Sequence, residues 1–334
     1  MTTITPLITP PDAHARAAAA ARQRELTKPA GALGRLEDAS IWMAGVQGAC
    51  PPAPFAHPRV VIFAGDHGIA RAAGTSAYPP EVTAQMVANF VTGGAAANVI
   101  ARQVGATVRV VDVAVDADPA YLDDLDPDVA ARRIQRSCGA IDREDAMSAA
   151  ATRMSLDLGR AIADEEIAAG ADVLIAGDMG IGNTTPAAAL IAVLTAAPAA
   201  DVTGRGTGVD DATLTRKAAA VSAAVTRAEG ARGADLLARI ASPDIAAMVG
   251  FLTRAAERRV PVVLDGIVSC AAALAAEEAA PGAREWWAAG HVSTEPAAAR
   301  ALAALDLRPL LSLDLRLGEG TGALLALPLL ASAA

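Results

Sequence analysis

The chain has 334 residues, which is long enough for one large domain or for a large domain with a small one. Hydrophobic residues make up 53% of the sequence and aromatic residues only 3%, so alanine, valine and leucine dominate, which argues against disorder. The formal net charge of −9 disfavours nucleic acid and anionic membrane surfaces as partners.

The cysteines and the apolar segments favour a cytoplasmic protein. Cys50, Cys138 and Cys270 are far apart and odd in number, so they predict neither a disulfide framework nor a metal site. The first twenty residues lack the cationic stretch and apolar core of a secretory signal. Residues 179–200 are apolar but contain glycine and proline, which favours a buried helix over a membrane span.

Strand and helix alternate along the middle of the chain. Helices are predicted at residues 12–25, from the turn at 27–37 to about 48, at 80–104 with an interruption at 93–94, and at 144–169, 186–197, 211–240, 245–258 and 269–278. Strands are predicted at residues 60–64, 107–115, 171–176 and 260–265, and residues 310–317 as a strand or an extended turn. This order predicts an α/β fold with a mostly parallel, doubly wound sheet and helices on both faces.

Three glycine-rich turns, each predicted to follow a buried strand, are typical of phosphate binding. They are GDMGIGNTTP at 177–186, GRGTGVDD at 204–211 and GEGTG at 318–322. Glycines at this density let backbone N–H groups approach an anion closely. Arg205 lies in the second turn and Lys217 in the helix that follows, where they would assist the amides. A solvated helix face is the alternative for Lys217.

Charged residues follow the predicted strands, where ligands of parallel sheets bind. Asp66 and His67 come after the first strand, Asp178 after the third, and Asp265 is the last residue of the fourth. Asp66 and His67 have two equally weighted interpretations: ligand contact, or a helix cap and a turn filler. Asp178, an acceptor when ionised, would meet a hydroxyl or a ring N–H.

Glu319 is the candidate general base. It lies between Gly318 and Gly320, and an enclosed carboxylate has a raised pKa, which suits proton abstraction near neutral pH. A surface acid on a loop is the alternative. Tyr78 and Gln85 would offer an aromatic ligand a flat wall and an amide, whereas core packing is the alternative for Met86.

Seven segments, in one order along nearly the whole chain, resemble the nicotinate-nucleotide–dimethylbenzimidazole phosphoribosyltransferase family. They are LTKPAGALGRLE at 26–37, FAGDHGI at 63–69, SAYPPEVTAQMV at 76–87, GDMGIGNTTPAAAL at 177–190, GRGTGVDD at 204–211, DGIVSCAAAL at 265–274 and LRPLLSLDLRLGEGTGALLALPLL at 307–330. The chain departs from the family's pattern at Asp178, where Glu is usual, and at Ala30 and Ala32, where Pro and Ser are common.

The resemblance implies a homodimeric enzyme that needs no cofactor and no metal. Each subunit would have a large α/β domain at residues 40–290 and a small helical domain from residues 1–39 and 291–334, which contributes the catalytic loop. The enzyme would transfer phosphoribose from nicotinate mononucleotide to 5,6-dimethylbenzimidazole, giving α-ribazole 5′-phosphate and nicotinate. The alternatives are another acceptor base, or a nucleotide-binding protein without turnover.

The resemblance also implies roles for individual residues. The catalytic residues would be Glu319 and Asp178. The residues around the site would include Asp66, His67 and Asp265. The residues that would bind the nucleotide and its phosphate are Gly180, Gly182, Asn183, Thr184, Gly204, Arg205, Gly206, Thr207, Gly208, Lys217, Gly318 and Gly320. The residues that would bind the acceptor base are Ser76, Tyr78, Gln85, Met86, Met179 and Leu317.

Two other classes fit the sequence less well. A dinucleotide-dependent oxidoreductase needs G-x-G-x-x-G after its first strand, where this chain has GDHG. A P-loop nucleotidase needs G-K-[ST], which the sequence lacks.

Overall fold

The computed structural model describes residues 7–123 and 126–334. Its strands are β1 (Pro58–Gly65), β2 (Thr107–Ala114), β3 (Val173–Met179), β4 (Val262–Leu264) and β5 (Trp287–Ala289). They form one sheet in the order β2-β1-β3-β4-β5, and every neighbouring pair is parallel. The predicted parallel α/β fold is therefore confirmed.

Helices precede, connect and follow these strands. As far as β3, they are α1 (Ala13–Glu25), α2 (Arg35–Gln47), α3 (Gly68–Ala73), α4 (Val82–Val91), α5 (Ala96–Val104), α6 (Pro119–Asp123), α7 (Pro127–Ala130) and α8 (Ala149–Ala168). After β3 they are α9 (Thr184–Thr195), α10 (Ala199–Val202), α11 (Asp211–Arg227), α12 (Gly233–Ile240), α13 (Pro243–Glu257), α14 (Ile267–Ala279), α15 (Pro296–Ala304) and α16 (Thr321–Ala333), with a 3-10 turn at Ala283–Trp286. None of these helices, in the ranges described, is long and apolar enough to cross a membrane.

Both faces of the sheet are covered by helices. Val61 and Phe63 of β1 join a core cluster with apolar residues of α8, α9 and α11 to α14. Val60 and Ile62 join a second cluster with residues of α2, α4, α5 and α16. Burial on both faces is the reason that the run at residues 60–64 is apolar throughout instead of alternating.

Helices α8 and α13 approach each other through glycine. A Cβ atom on Gly159 would lie 1.8 Å from the carbonyl oxygen of Ala247, and one on Gly250 would lie 2.1 Å from that of Leu156. Neither distance is tolerable, so glycine at both positions lets the two backbones meet.

The strand order fixes where a ligand can bind. The chain places β2 on one side of β1 and β3 on the other, so the connections run in opposite directions from β1. This reversal opens a crevice at the carboxyl ends of β1 and β3. Asp66, Asp178 and Asp265 lie at the carboxyl ends of β1, β3 and β4, as their positions in the sequence predict.

The structure differs from the prediction in several places, and the helices that were not predicted are α3, α6, α7, α10, α15 and α16. The helical region at 211–240 is two helices, because residues 228–232 leave the helix around Gly230 at φ +75°. Strand β5 was not predicted, since it has only three residues. Of the two forms predicted for residues 310–317, the structure has the extended turn, with one parallel bridge between Leu311 and His291. Of the three glycine turns, only the first follows a strand of the sheet; the second follows α10.

Candidate active site

A cavity of about 450 Å³ opens at the carboxyl ends of β3 and β4. All three glycine turns reach it. Of the residues that the sequence predicts for the site, eight line the cavity: Tyr78, Asp178, Asn183, Thr184, Gly206, Thr207, Leu317 and Gly318. A further eight lining residues were not predicted as site residues: Gly266, Ile267, Val268, Ser293, Glu295, Asp314, Leu315 and Arg316.

Asp178 is a buried carboxylate in the cavity wall. It lies near the end of β3, is 5% exposed, and its Oδ2 accepts a hydrogen bond from the Asn183 amide at 2.7 Å. Its Oδ1 has no partner among the described residues. Burial, followed by the charges of Asp265, Asp244 and Glu319, raises the pKa of Asp178 well above its usual value. Asp178 is therefore a strong acceptor when ionised, and its free oxygen lacks a donor.

Glu319 lies behind the cavity wall that Gly318 forms. The turn needs positive φ at three successive residues, +81°, +62° and +82° at Gly318, Glu319 and Gly320, and the two glycines adopt it without strain. Glu319 is 4% exposed, and its Oε2 has no hydrogen-bond partner in the described part of the chain. Burial raises the pKa of Glu319, partly offset by the amide of Ala97 at the start of α5.

The Glu319 turn is held in place by Asp265. This fully buried carboxylate accepts hydrogen bonds from the amides of Gly320, Gly322 and Ala323, at 3.1, 2.8 and 3.0 Å. It thereby caps the N-terminus of α16, where amides have no partner within the helix. Its position in the sequence suggested a ligand contact, but its oxygens are occupied by the turn, so Asp265 positions Glu319.

Asp66 likewise positions the first glycine turn. Its carboxylate accepts from the Thr83 hydroxyl at 2.7 Å and from the Asp116 amide at 2.8 Å. The Thr83 oxygen in turn accepts from the amide of Ile181, within the glycine turn, at 3.1 Å. Burial raises the pKa of Asp66. This geometry agrees with a structural role for Asp66. The hydrogen bonds differ from the predicted helix cap, because they join Thr83 and Asp116.

His67 forms a buried ion pair beneath the same turn. Its Nε2 lies 3.5 Å from Oδ2 of Asp244, and both side chains are fully buried. Burial lowers the pKa of His67, but the Asp244 carboxylate raises it by more, so that the pKa is about 10. A Cβ atom on Gly180 would lie 2.9 Å from Nε2, so Gly180 leaves room for the ring. A Cβ atom on Gly182, which has φ +94°, would lie 2.8 Å from the Cβ atom of Ala70 on α3.

The second glycine turn is built around Lys217. The Lys217 side chain is 0% exposed, which rules out a solvated helix face. Its ammonium group donates to Thr184 Oγ1 at 2.7 Å and to the carbonyl of Gly204 at 2.9 Å. Burial lowers the pKa of Lys217 to about 8, against the opposing effect of Glu295. Lys217 therefore joins the second turn to the start of α9.

The cation that lies in the cavity beside the second glycine turn is Arg316, not Arg205, which is part of that turn. Arg205 lies outside the lining and pairs with the Val209 carbonyl and the Asp211 carboxylate. Arg316 lines the cavity and donates to the carbonyl of Gly206 at 2.8 Å. A Cβ atom on Gly208 would come 3.6 Å from the same guanidinium. Sequence proximity to the glycines favoured Arg205, whereas Arg316 arrives from the far end of the chain.

Glu295 is the most prominent residue that sequence reasoning missed. It is 4% exposed, lines the cavity and accepts from the Gly206 amide at 2.7 Å through Oε1. The signal available was Pro296 at the start of an alanine-rich helix, which marks Glu295 as a helix cap. That signal could not show that the side chain turns towards the second glycine turn.

Two helix N-termini open into the cavity without a side-chain cap. Helix α9 begins after Asn183, whose side-chain amide donates to Asp178. The Thr184 hydroxyl accepts a hydrogen bond from Lys217. Helix α14 begins after Gly266. At α9 the amides of Asn183 and Thr185 are bonded to the carbonyls of Gly180 and Gly182, and the helix dipoles at both ends favour a negative group.

The predicted acceptor residues lie at the mouth of the cavity and on α4. Tyr78 and Leu317 line it and are 56% and 55% exposed. Ser76 is fixed close to the second turn, because its hydroxyl lies 3.3 Å from that of Thr207 and the neighbouring Ala77 amide donates to Thr207. Gln85 is exposed on α4, and Met86 and Met179 are half-buried and pack against the core cluster of α4 and α16. Their contact with a base stays a prediction.

The cavity therefore has two chemically different ends. Asp178 and Glu319 make one end acidic, and no salt bridge joins either of them to a cation within the described residues. The glycine turn, Arg316 and the helix N-termini make the other end suitable for an anion. Such a cavity can bind a phosphate at one end and accept a proton at the other.

Comparison with known proteins agrees with this description. A family model described as "Phosphoribosyltransferase" matches residues 8–334. The nicotinate-nucleotide–dimethylbenzimidazole phosphoribosyltransferases of Mycobacterium avium (strain 104) and Mycobacterium leprae (strain Br4923) are 57% and 55% identical to this chain over 328 residues, and each match covers 98% of this chain and 92% of the relative. The crystal structure of CobT from Thermus thermophilus superimposes with a TM-score of 0.90 at 43% identity, over 96% of this chain and 95% of that one.

Fold and site define a phosphoribosyltransferase. The chain belongs to the nicotinate-nucleotide–dimethylbenzimidazole phosphoribosyltransferase family, and the resemblance found in the sequence is confirmed.

Proposed function

We propose that this protein transfers phosphoribose from nicotinate mononucleotide to 5,6-dimethylbenzimidazole, which yields α-ribazole 5′-phosphate and nicotinate for cobalamin synthesis. Relatives at 55–57% identity carry the name of this activity. The observation that carries the proposal is the cavity itself, with an anion-binding glycine turn at one end and two buried carboxylates at the other. The reaction needs both.

The anion-binding end suits the 5′-phosphate of the nucleotide. The second glycine turn, the N-terminus of α9 and the Lys217 ammonium meet there. The amides of Gly206 and Gly208 are bonded to Glu295 and to the Arg205 carbonyl, so the amides of Arg205 and Thr207 are those of the turn that would bind the phosphate. Lys217 is already tied to Thr184 and Gly204, so it acts on the phosphate through its charge and by shaping the turn. Arg316 adds a second cation beside Gly206.

The acidic end suits the transfer of the ribosyl group. The bond between C1′ and the pyridinium nitrogen breaks, its electron pair returns to the ring, and nicotinate leaves without a proton. The benzimidazole nitrogen attacks C1′ from the opposite face, so a β-nucleotide becomes an α-nucleotide. Both the pyridinium substrate and the oxocarbenium-like transition state are cationic, and the Asp178 and Glu319 carboxylates stabilise positive charge in a buried site.

The attacking benzimidazole must lose its ring N–H proton, and we assign its removal to Glu319. Burial raises the pKa of Glu319, which strengthens it as a base, while the Ala97 amide favours the ionised form. Asp178, held by Asn183, would orient the acceptor. One methylene shorter than the usual Glu, its side chain reaches less far towards that acceptor.

We further propose that the protein acts as a cytoplasmic homodimer. Its three free cysteines suit a reducing compartment. The division into a large domain at residues 40–290 and a small one from residues 1–39 and 291–334 is part of the same proposal.

The test is nicotinate release from nicotinate mononucleotide with and without 5,6-dimethylbenzimidazole. We expect release that depends on the acceptor and that is nearly lost in the Glu319→Gln variant. Equal consumption of the nucleotide without acceptor would identify a hydrolase and contradict the proposal. A small panel of other benzimidazoles and purines would then define the acceptor preference.

A further inference from the structure

The Glu295 carboxylate is buried between the second glycine turn and the cavity. Its Oε1 accepts from the Gly206 amide at 2.7 Å, and its backbone amide is held by the Ser293 hydroxyl at 3.3 Å. The carboxylate lies against Gly204, where an added Cβ atom would come 2.2 Å from Oε2. Glycine at position 204 is therefore required for this placement.

The second oxygen of this carboxylate lacks a partner. Oε2 is buried and finds no hydrogen bond anywhere in residues 7–123 and 126–334. The nearby Lys217 ammonium binds Thr184 and Gly204 instead, and no salt bridge within 4.0 Å joins Lys217 to Glu295 in those ranges. A buried carboxylate oxygen without a donor is unfavourable, so the group that completes it is expected to come from the ligand.

The missing group must be a hydrogen-bond donor, because an ionised carboxylate only accepts. This excludes the phosphate of a nucleotide as the direct partner, since a phosphate is mainly an acceptor at neutral pH. On nicotinate mononucleotide, the carboxylate and the phosphate accept, and the pyridinium nitrogen carries no proton. Its donors are the two ribose hydroxyls. The single N–H of the acceptor base is assigned to Glu319.

We infer that Glu295 binds a hydroxyl group of the substrate's ribose and selects ribose over deoxyribose. The inference rests on the proposed function. The location agrees, because Glu295 borders the turn that would hold the 5′-phosphate, and the ribose is next to that phosphate along the nucleotide. A carboxylate bound to a ribose hydroxyl also favours the positive charge that develops on the sugar in the transition state.

The inference predicts strong discrimination among substrates. A site that expects a hydroxyl rejects the analogue without it, because the protein's polar group then stays buried and unpaired. For the wild-type enzyme, we expect kcat/KM for nicotinate mononucleotide to exceed that for its 2′-deoxy or 3′-deoxy counterpart by roughly 100-fold or more. The hydroxyl whose removal matters more is the one that Glu295 binds.

The decisive variant is Glu295→Gln, which keeps the size and an acceptor for Gly206. It should reduce the preference for the hydroxylated nucleotide to within roughly tenfold. The matched control is Asp314→Asn, which removes an exposed carboxylate from the same cavity and should leave the preference unchanged. If Glu295→Gln lowers kcat/KM equally for all three nucleotides, Glu295 only supports the turn and the inference is wrong.

Two measurements keep the test independent of folding and of the proposed function. If Glu295→Gln does not fold, wild-type enzyme that uses the ribose and both deoxyribose nucleotides equally well would overturn the inference alone. Calorimetric titration of wild-type protein with the same three nucleotides, without acceptor, tests binding when turnover is absent. Tight binding of the ribose nucleotide alone, with no nicotinate release, would contradict the proposed reaction and still support the role of Glu295.

Discussion

The two ends of the cavity handle buried charge in opposite ways. At the second glycine turn, the buried cation Lys217 is satisfied by Thr184 and Gly204 and lies near Glu295, a single carboxylate that keeps one buried oxygen without a partner in the described residues. At the β3 end, Asp178 and Glu319 each keep a buried oxygen without a partner in the described residues, beside a third carboxylate, Asp265. A balanced set of charges suits a rigid binding site, whereas concentrated negative charge has to be stabilised by a cationic substrate.

The comparison also shows how the acidic end is kept stable. Asp265 gives its oxygens to three backbone amides, and the His67–Asp244 pair lies beneath Gly180. These residues hold the turns and offset charge without entering the cavity lining. Asp178, Glu295 and Glu319, which each keep a buried oxygen without a hydrogen-bond partner in the described residues, lie in or directly behind the cavity wall, and perturbed groups concentrate at such sites in enzymes.

The largest effect is expected at the acidic end, from Glu319→Gln. Gln keeps the size of the side chain but cannot take a proton, so kcat should fall by roughly 10²- to 10⁴-fold, with little change in either KM. Asp178→Asn should lose less activity. Steady-state kinetics at saturating substrate, with circular dichroism as a control for folding, measures both. Near-normal turnover in Glu319→Gln, or a larger loss in Asp178→Asn, would move the base role away from Glu319.

At the other end of the cavity, Lys217→Ala should weaken binding of the nucleotide and leave binding of the acceptor base unchanged. The variant loses the ammonium charge beside the phosphate and the bonds to Thr184 and Gly204 that shape the turn. If this weakens nucleotide binding by about 1.5–3 kcal/mol, KM for the nucleotide should rise roughly 10- to 150-fold. KM for dimethylbenzimidazole is the internal control and should stay within about twofold. An unchanged nucleotide KM would mean that the phosphate binds elsewhere in the cavity.

The charge of Lys217 gives a pH test of the same assignment. Its pKa is lowered to about 8, so the ammonium loses its proton as the pH rises through that value. The nucleotide KM of the wild-type enzyme should therefore increase between about pH 7 and 9, in line with that pKa. Lys217→Arg stays charged over this range and should show a flat profile. A rise of equal size in both proteins would assign the pH dependence to another group.

The smallest effect is a gain in stability from Asp178→Asn. The pKa of Asp178 is raised in the folded protein, so its contribution to stability is present at low pH and is lost as the pH rises. Asn removes this loss, and the melting temperature at pH 7 should rise by roughly 2–5 °C. The gain should shrink as the pH falls towards 5. Asp157→Asn, at an exposed position on α8, should show neither change.

Much of the fold could be predicted because its signals are local. The apolar run of β1, the alternation of strands and helices, and the glycine turns all depend on neighbours in the sequence. The boundary between α11 and α12 was missed, although Gly230 and Gly233, at the break between the two helices, are local signals that a helix ends. Strand β5 is too short to give a periodic signal.

The site was less predictable, because its contacts join distant parts of the chain. Glu295 meets Gly206 and Arg316 meets the same turn, across 89 and 110 positions. Arg205 was preferred for its position among the glycines, yet its guanidinium is held by Val209 and Asp211. Asp265 was recognised by its place after a strand, but its role as a cap depends on where α16 begins. The substrate contacts assigned to individual residues stay predictions.

The most direct test of the central claim is the configuration of the product. Wild-type enzyme with β-nicotinate mononucleotide and 5,6-dimethylbenzimidazole should release one nicotinate for each ribazole formed, and proton NMR of the C1′ position should show the α-anomer. That result requires attack on C1′ from the face opposite the leaving group. A β-configured product, or ribose 5-phosphate in place of a ribazole, would contradict the account.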